Sequence, residues 1–271
     1  MPEGDIVVSV RPVVFYKLRA ALISFSVFLL FAALLAFFTY RFWYPDYLFF
    51  LDGGIQGLKL VYAVDFVLGP LLALVFFHPE KSRKKLVFDI CVIALVQVSA
   101  MTWGAYQVCS QRPVVVVYGS GRFISVAPEL LALQRKSAPD MRAFSDTYPP
   151  YAFRRETQSA LEKQKKLTLL MGYGIHFEGQ VWLFEPYKTN LDKIFEKQSG
   201  TQSFIRDVLS EEWNEWAAKH QDASMSDYRY AFYEGRYENA VLIFSPDGQY
   251  RGYLEMATFL PAIEDTPPVS Q

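Results

Sequence analysis

Residues 58–109, LKLVYAVDFVLGPLLALVFFHPEKSRKKLVFDICVIALVQVSAMTWGAYQVC, decide how the chain folds. Two apolar runs, 58–77 and 87–109, flank His78-Pro79-Glu80-Lys81-Ser82-Arg83-Lys84-Lys85, which holds four cations in eight residues. Each run is about 20 residues long, enough for a helix to cross ~30 Å of hydrocarbon. A third run, 20–40, precedes them without a charge. It is longer than the ~7–15 residues of a signal-peptide core and lacks a small-x-small cleavage site, so it reads as an uncleaved anchor. Phe42-Trp43-Tyr44 then forms an interfacial aromatic belt.

Lysines and arginines orient these segments. Arg11, Lys17 and Arg19 precede the first run, and the connection 41–57 holds one Arg against two Asp. The positive-inside rule places the N-terminus and the 78–85 connection in the cytoplasm, and the first connection and everything after Cys109 outside. In a two-membrane envelope this means a bacterial inner-membrane protein with a periplasmic C-terminal domain. The expected organisation is a cytoplasmic tail (1–19), a three-helix transmembrane bundle (20–109), an α+β periplasmic domain with an antiparallel sheet (110–265) and a loose tail (266–271).

Composition agrees. The chain has 271 residues, 52% hydrophobic and 17% aromatic, which excludes a disordered chain. Mean hydropathy is +0.10. Two cysteines exclude a disulfide scaffold, and Cys91 and Cys109 lie too far apart on one helix to bridge. The net charge of −1 gives no reason to expect a nucleic-acid partner.

Polar groups inside the apolar runs are candidate sites. A carboxylate such as Asp65 costs about 2.5–3.5 kcal/mol near the centre of a span, so it must face protein, pair or protonate. Two readings stand: a hydrogen bond to Ser99 or Thr102, or a docking point for a partner's transmembrane helix. Gly69-Pro70 predicts a kink near residues 66–69, because proline removes an amide. The freed carbonyl is satisfied within the bundle or marks a partner groove. Gln97 reads as an interhelix hydrogen bond. Lys85 and Asp89, spaced i, i+4, read as an interfacial ion pair.

These residues also form an ordered series. Tyr44-Pro45, Gly53-Gly54, Val64-Asp65-Phe66-Val67-Leu68-Gly69-Pro70-Leu71-Leu72, Phe77-His78-Pro79-Glu80-Lys81, Asp89, Gln97, Gly104 and Arg112-Pro113 resemble the TfpX/TfpZ family of type IV pilin accessory proteins. The resemblance covers about residues 40–125. Ala73 stands where the family usually has threonine, and Trp103 where tyrosine is common before Gly104. The resemblance implies a non-enzymatic inner-membrane protein that supports pilin stability, pilus assembly or surface piliation. It implies type IV pilin as partner, alongside the lipid bilayer and other pilus-assembly proteins.

The external part divides into short elements. Residues 113–118 and 122–126 around Gly119-Ser120-Gly121 read as a hairpin, and 127–136 as a short helix. A loop follows over 137–150. Residues 156–166, 191–197 and 204–219 read as helices, and 167–171 and 180–184 as short strands or buried segments. Residues 237–245 and 249–256 around Pro246-Asp247-Gly248 form a second hairpin. In a strand over 227–234, alternation puts Tyr228, Tyr230 and Phe232 on one face, as sheet core or as an exposed protein-binding surface.

Catalytic patterns are missing from the sequence. The three histidines have no metal-ligand spacing, no Gly-x-Ser-x-Gly elbow occurs, and Glu211, Glu212 and Glu215 suit a solvated helix face. No cofactor is expected. The candidate partner-binding residues are Asp65, Gly69, Pro70, Gln97, Tyr228, Tyr230 and Phe232. The alternative function is a membrane enzyme that modifies pilin or an envelope component.

Overall fold

The computed structural model describes residues 25–26, 28–76, 83–220 and 224–256. The tails 1–19 and 266–271 lie outside them, as does most of the 78–85 connection. The chain divides into two compact units. One comprises residues 1–38 and 56–108; the other comprises 39–55 and everything from 109 onward.

The first unit is helical. α1 (Phe28–Trp43) ends in a π-helical turn over Thr39–Trp43. The short α2 (Tyr47–Leu51), which belongs to the second unit, precedes α3 (Gly54–Phe76) and α4 (Arg83–Ser110). Small residues let α3 and α4 approach closely. A Cβ on Gly57 would lie 2.8 Å from Val108 Cγ2, and one on Gly104 would lie 2.7 Å from Val61 Cγ2. α1 joins through Tyr62, whose hydroxyl donates to the Ala32 carbonyl at 2.5 Å and whose ring meets Phe28 edge-on. Leu60, Phe66, Phe88, Leu95 and Trp103 remain exposed. Among the described residues, one helix, Val87–Ser110, is long and apolar enough to cross a membrane, and Phe28–Trp43 is apolar but shorter. Length and hydropathy therefore qualify one crossing there rather than a bundle of three. α3 runs unbroken through Gly69-Pro70.

The second unit is built on a seven-stranded sheet. Its strands are β1 (Val115–Gly119), β2 (Arg122–Val126), β3 (Tyr151–Arg154), β4 (Phe184–Pro186), β5 (Arg229–Glu234), β6 (Asn239–Phe244) and β7 (Tyr250–Met256). The order is β4-β3-β1-β2-β5-β6-β7. Both expected hairpins form, β1–β2 with Val115 opposite Val126 and β6–β7 with Asn239 opposite Met256. The sheet is mixed, not antiparallel: β1 pairs with β3, and β2 with β5, in parallel. Parallel neighbours require crossover connections. The crossover from β1 to β3 runs through β2 and 127–150, and that from β2 to β5 through 127–228.

Helices α5 (Pro128–Ala132), α6 (Ala160–Tyr173), α7 (Leu191–Ile194), α8 (Gln198–Val208) and α9 (Ser210–Lys219) complete the unit. The expected strand 167–171 is the second half of α6. The Ser159 hydroxyl accepts from the Glu162 amide at its start, and Gly174 closes it in the left-handed region at φ 66°. The expected helix 204–219 is two helices meeting at Leu209. One sheet face carries Tyr230, Val241, Ile243 and Leu254 against Ile205, Leu209, Trp213 and Trp216. Farther along the sheet, Val115, Val117 and Ala152 pack against Leu131 and Met141.

Candidate functional site

The opposite sheet face is aromatic, and residues 39–55 fold onto it. The sequence marks Phe42-Trp43-Tyr44 of this segment as an interfacial belt. Its Tyr44, Tyr47, Leu48 and Leu51 are buried in the second unit. The Tyr47 ring lies 5.0 Å from that of Tyr233, edge-on, and 5.1 Å from that of Tyr250. Its hydroxyl is 3.1 Å from that of Tyr151. Phe123, Tyr151, Tyr187 and Phe244 extend the cluster across β2, β3 and β6. Centroid separations of 4.5–7 Å with tilted or edge-on rings are favourable for aromatic pairs.

Asp52 secures the end of the segment. Its Oδ2 accepts from the Tyr233 hydroxyl at 2.7 Å and its Oδ1 from the Arg236 backbone N–H at 3.2 Å. The Leu51 carbonyl accepts from the backbone N–H of Tyr237 at 3.0 Å. Gly53 stands at φ +104°, and a Cβ there would lie 2.5 Å from the Tyr237 ring. The Tyr148 hydroxyl donates to the Phe42 carbonyl. The Tyr44-Pro45 and Gly53-Gly54 pairs thus belong to a clasp.

Burial sets the electrostatics. It raises the Asp52 pKa, opposed by hydrogen bonds from Ser125 and Tyr233. It also raises Asp46, which is hydrogen-bonded to Tyr250. Tyr44 is pushed up to about 12, and Tyr47 and Tyr233 go well above their ordinary value for the same reason. These tyrosines stay neutral near pH 7, and both Asp52 oxygens are occupied by donors. The arrangement holds a backbone segment in place; it does not present a nucleophile. Among the described residues, no group of three His, Cys, Asp or Glu side chains is placed to hold a metal.

The residues singled out from sequence are dispersed. Asp65, Gly69 and Pro70 lie on α3, and their side chains are outside the described residues. Ser99 and Thr102 each donate to a carbonyl four residues earlier on α4, at 2.8 and 2.7 Å. Gln97 is half-buried and has no hydrogen-bond partner among the described residues. Tyr230 is 1% exposed, and its hydroxyl donates to the Met225 carbonyl; Tyr228 and Phe232 pack against the same α8–α9 core. Tyr230 is therefore sheet core, whereas Tyr228 and Phe232 are half-buried at its margin. A cleft of about 360 Å³ beside Phe204 and Phe232 leaves only part of that face open.

Comparison with known proteins finds relatives in one organism. A fimbrial assembly protein of Dichelobacter nodosus serogroup I is 28% identical over 188 residues, covering 68% of this chain and 72% of its own. The serogroup E1 protein is 29% identical over 176 residues, covering 64% and 66% respectively. The protein of serogroups C1 and C2 is 34% identical over 96 residues, covering 35% of this chain and 73% of its own. No family model matches the chain, and no solved structure matches it.

Proposed function

From the premise that the chain belongs to the fimbrial assembly proteins, we propose that it is a non-enzymatic inner-membrane accessory protein that binds type IV pilin and supports its assembly into pili. The named role of the relatives carries this reading. In it, 20–40, 58–77 and 87–109 are three spans, with the N-terminus cytoplasmic and the α+β unit periplasmic. The outward-facing Leu60, Phe66, Phe88 and Leu95 suit a lipid surround. The cation-rich connection suits the cytoplasmic side.

The clasp gives such a protein a mechanical character. The first external connection is part of the external domain, so the chain enters that domain twice.

Deletion of the gene tests the proposal. Surface pili should be reduced while the intact mass of pilin is unchanged, and full-length protein should copurify with pilin. A pilin mass shift on deletion would instead mean a modifying enzyme.

A further inference from the structure

Beside α8 the described residues leave an apolar lane open. Phe204 and Phe232, both half-buried, meet edge-on at 5.4 Å. They line the cleft of about 360 Å³, which extends past Thr201 to Lys197 at the start of the helix. Val208, one turn beyond Phe204, is 50% exposed and continues the lane to the other end of α8.

The sheet register leads to that end. Gln202 donates to the Met225 carbonyl ahead of β5 at 3.4 Å, and Phe204 meets Phe232 farther along the strand, so α8 and β5 run in the same direction. Glu234 at the end of β5 lies opposite Asn239, and Asn239 opposite Met256. β7 therefore finishes where α8 finishes, and Met256 shares a core with Leu209.

Residues 257–265 lie outside the described residues, and their sequence is ATFLPAIED. Seven uncharged, mostly apolar residues precede two acids. From Met256 the way across two strands and back along the 11 residues of α8 is about 25 Å. Eight extended residues cover ~26 Å. That places Phe259 and Leu260 within reach of Val208 and Phe204, and Glu264 and Asp265 at the start of α8. The first turn of α8 carries no acidic residue, and its N-cap is Lys197. Carboxylates are favourable at a helix N-terminus. A second copy or another protein must compete with a segment tethered a few residues away, whose effective concentration is in the millimolar range.

We propose that residues 257–265 of this chain form a strap that fills the lane beside α8, with Phe259 and Leu260 against Phe204, Phe232 and Val208, and with Glu264 and Asp265 beside Lys197. The strap is independent of the pilin reading above.

The test uses the full-length protein in detergent. Phe259→benzoylphenylalanine should, on irradiation, crosslink within its own chain to residues 204–208 or 230–232, read by peptide mass spectrometry. Phe259→Asp/Leu260→Asp should raise amide hydrogen exchange of residues 201–208 about tenfold and leave residues 240–244 of β6 unchanged. Crosslinks elsewhere in the chain, to a second copy or to lipid overturn the strap, as does unchanged exchange in α8. Exchange raised equally in β6 would make residues 257–263 part of the sheet core and overturns it too. A crosslink to pilin in pilin-producing cells overturns the strap and leaves the pilin reading standing.

Discussion

The Tyr233 hydroxyl donates a 2.7 Å hydrogen bond to the Asp52 carboxylate, joining residues 181 positions apart in the chain. The bond ties the connection ahead of α3 to the middle of the sheet. Asp52→Ala removes both acceptor oxygens and leaves the Tyr233 hydroxyl and the Arg236 amide short of a partner. With about 1–3 kcal/mol for each buried group left unsatisfied, a loss of roughly 2–6 kcal/mol is expected, read as a lower unfolding midpoint of the full-length protein.

The same carboxylate gives a pH signature. Its pKa is higher in the folded state than in the unfolded state, so the native protein holds the extra proton within that window. Stability then falls as pH rises from the ordinary carboxylate pKa through the raised one, and levels off above it. Asp46 contributes with the same sign. The difference between wild type and Asp52→Asn, measured as melting temperature against pH, should therefore shrink toward acid and grow through the window. A constant offset at all pH values would contradict the raised pKa.

Tyr47 should be costly to truncate and cheap to trim. Tyr47→Phe keeps the ring and loses the hydroxyl contact with Tyr151, for about 0.5–1.5 kcal/mol. Tyr47→Ala empties a site between Tyr233, Tyr250 and Tyr253, for about 3–5 kcal/mol. Equal effects in chemical denaturation would mean that the ring is not packed.

Gly53→Ala meets two obstacles, a positive φ and the Tyr237 ring. Strain of this kind costs about 1–3 kcal/mol. Adding Tyr237→Ala should recover the steric part and not the backbone part, so the double variant should lie between Gly53→Ala and the Tyr237→Ala single variant.

The expected topology is tested by alkaline phosphatase fusions after Arg112 and after Arg83. Activity should appear with the first and not with the second. The reverse pattern would remove the three-span proposal together with the periplasmic assignment.

Local signals were legible in the sequence and distant ones were not. The two hairpins announce themselves through apolar strands around Gly119-Ser120-Gly121 and Pro246-Asp247-Gly248. β3 gives no such sign: its four residues follow Pro149-Pro150 and are held by parallel pairing with β1. Residues 167–171 look like a strand because Leu167, Leu169 and Met171 alternate, yet Ser159 and Glu162 set a helix start upstream that carries through them. Phe42-Trp43-Tyr44 looks interfacial because it is aromatic, yet the segment 39–55 around it folds onto the sheet. Its burial depends on Tyr151, Tyr233 and Tyr250, which local periodicity does not connect to it. Asp52-Gly53-Gly54 was the one usable signal, a carboxylate beside two glycines in an aromatic stretch. For Tyr230 and Phe232, alternation identified a shared face; the α8–α9 packing buries Tyr230 in it and leaves Phe232 half-buried.

The clasp also imposes a waiting time. At ~5–20 residues per second of synthesis, the 181 residues between Asp52 and Tyr233 take about 10–40 s to appear. During that interval Tyr47, Leu48 and Leu51 have no sheet to lie on. Nascent chains halted before residue 229 should therefore be bound by chaperones or degraded, whereas those that reach Met256 can bury the segment and escape quality control.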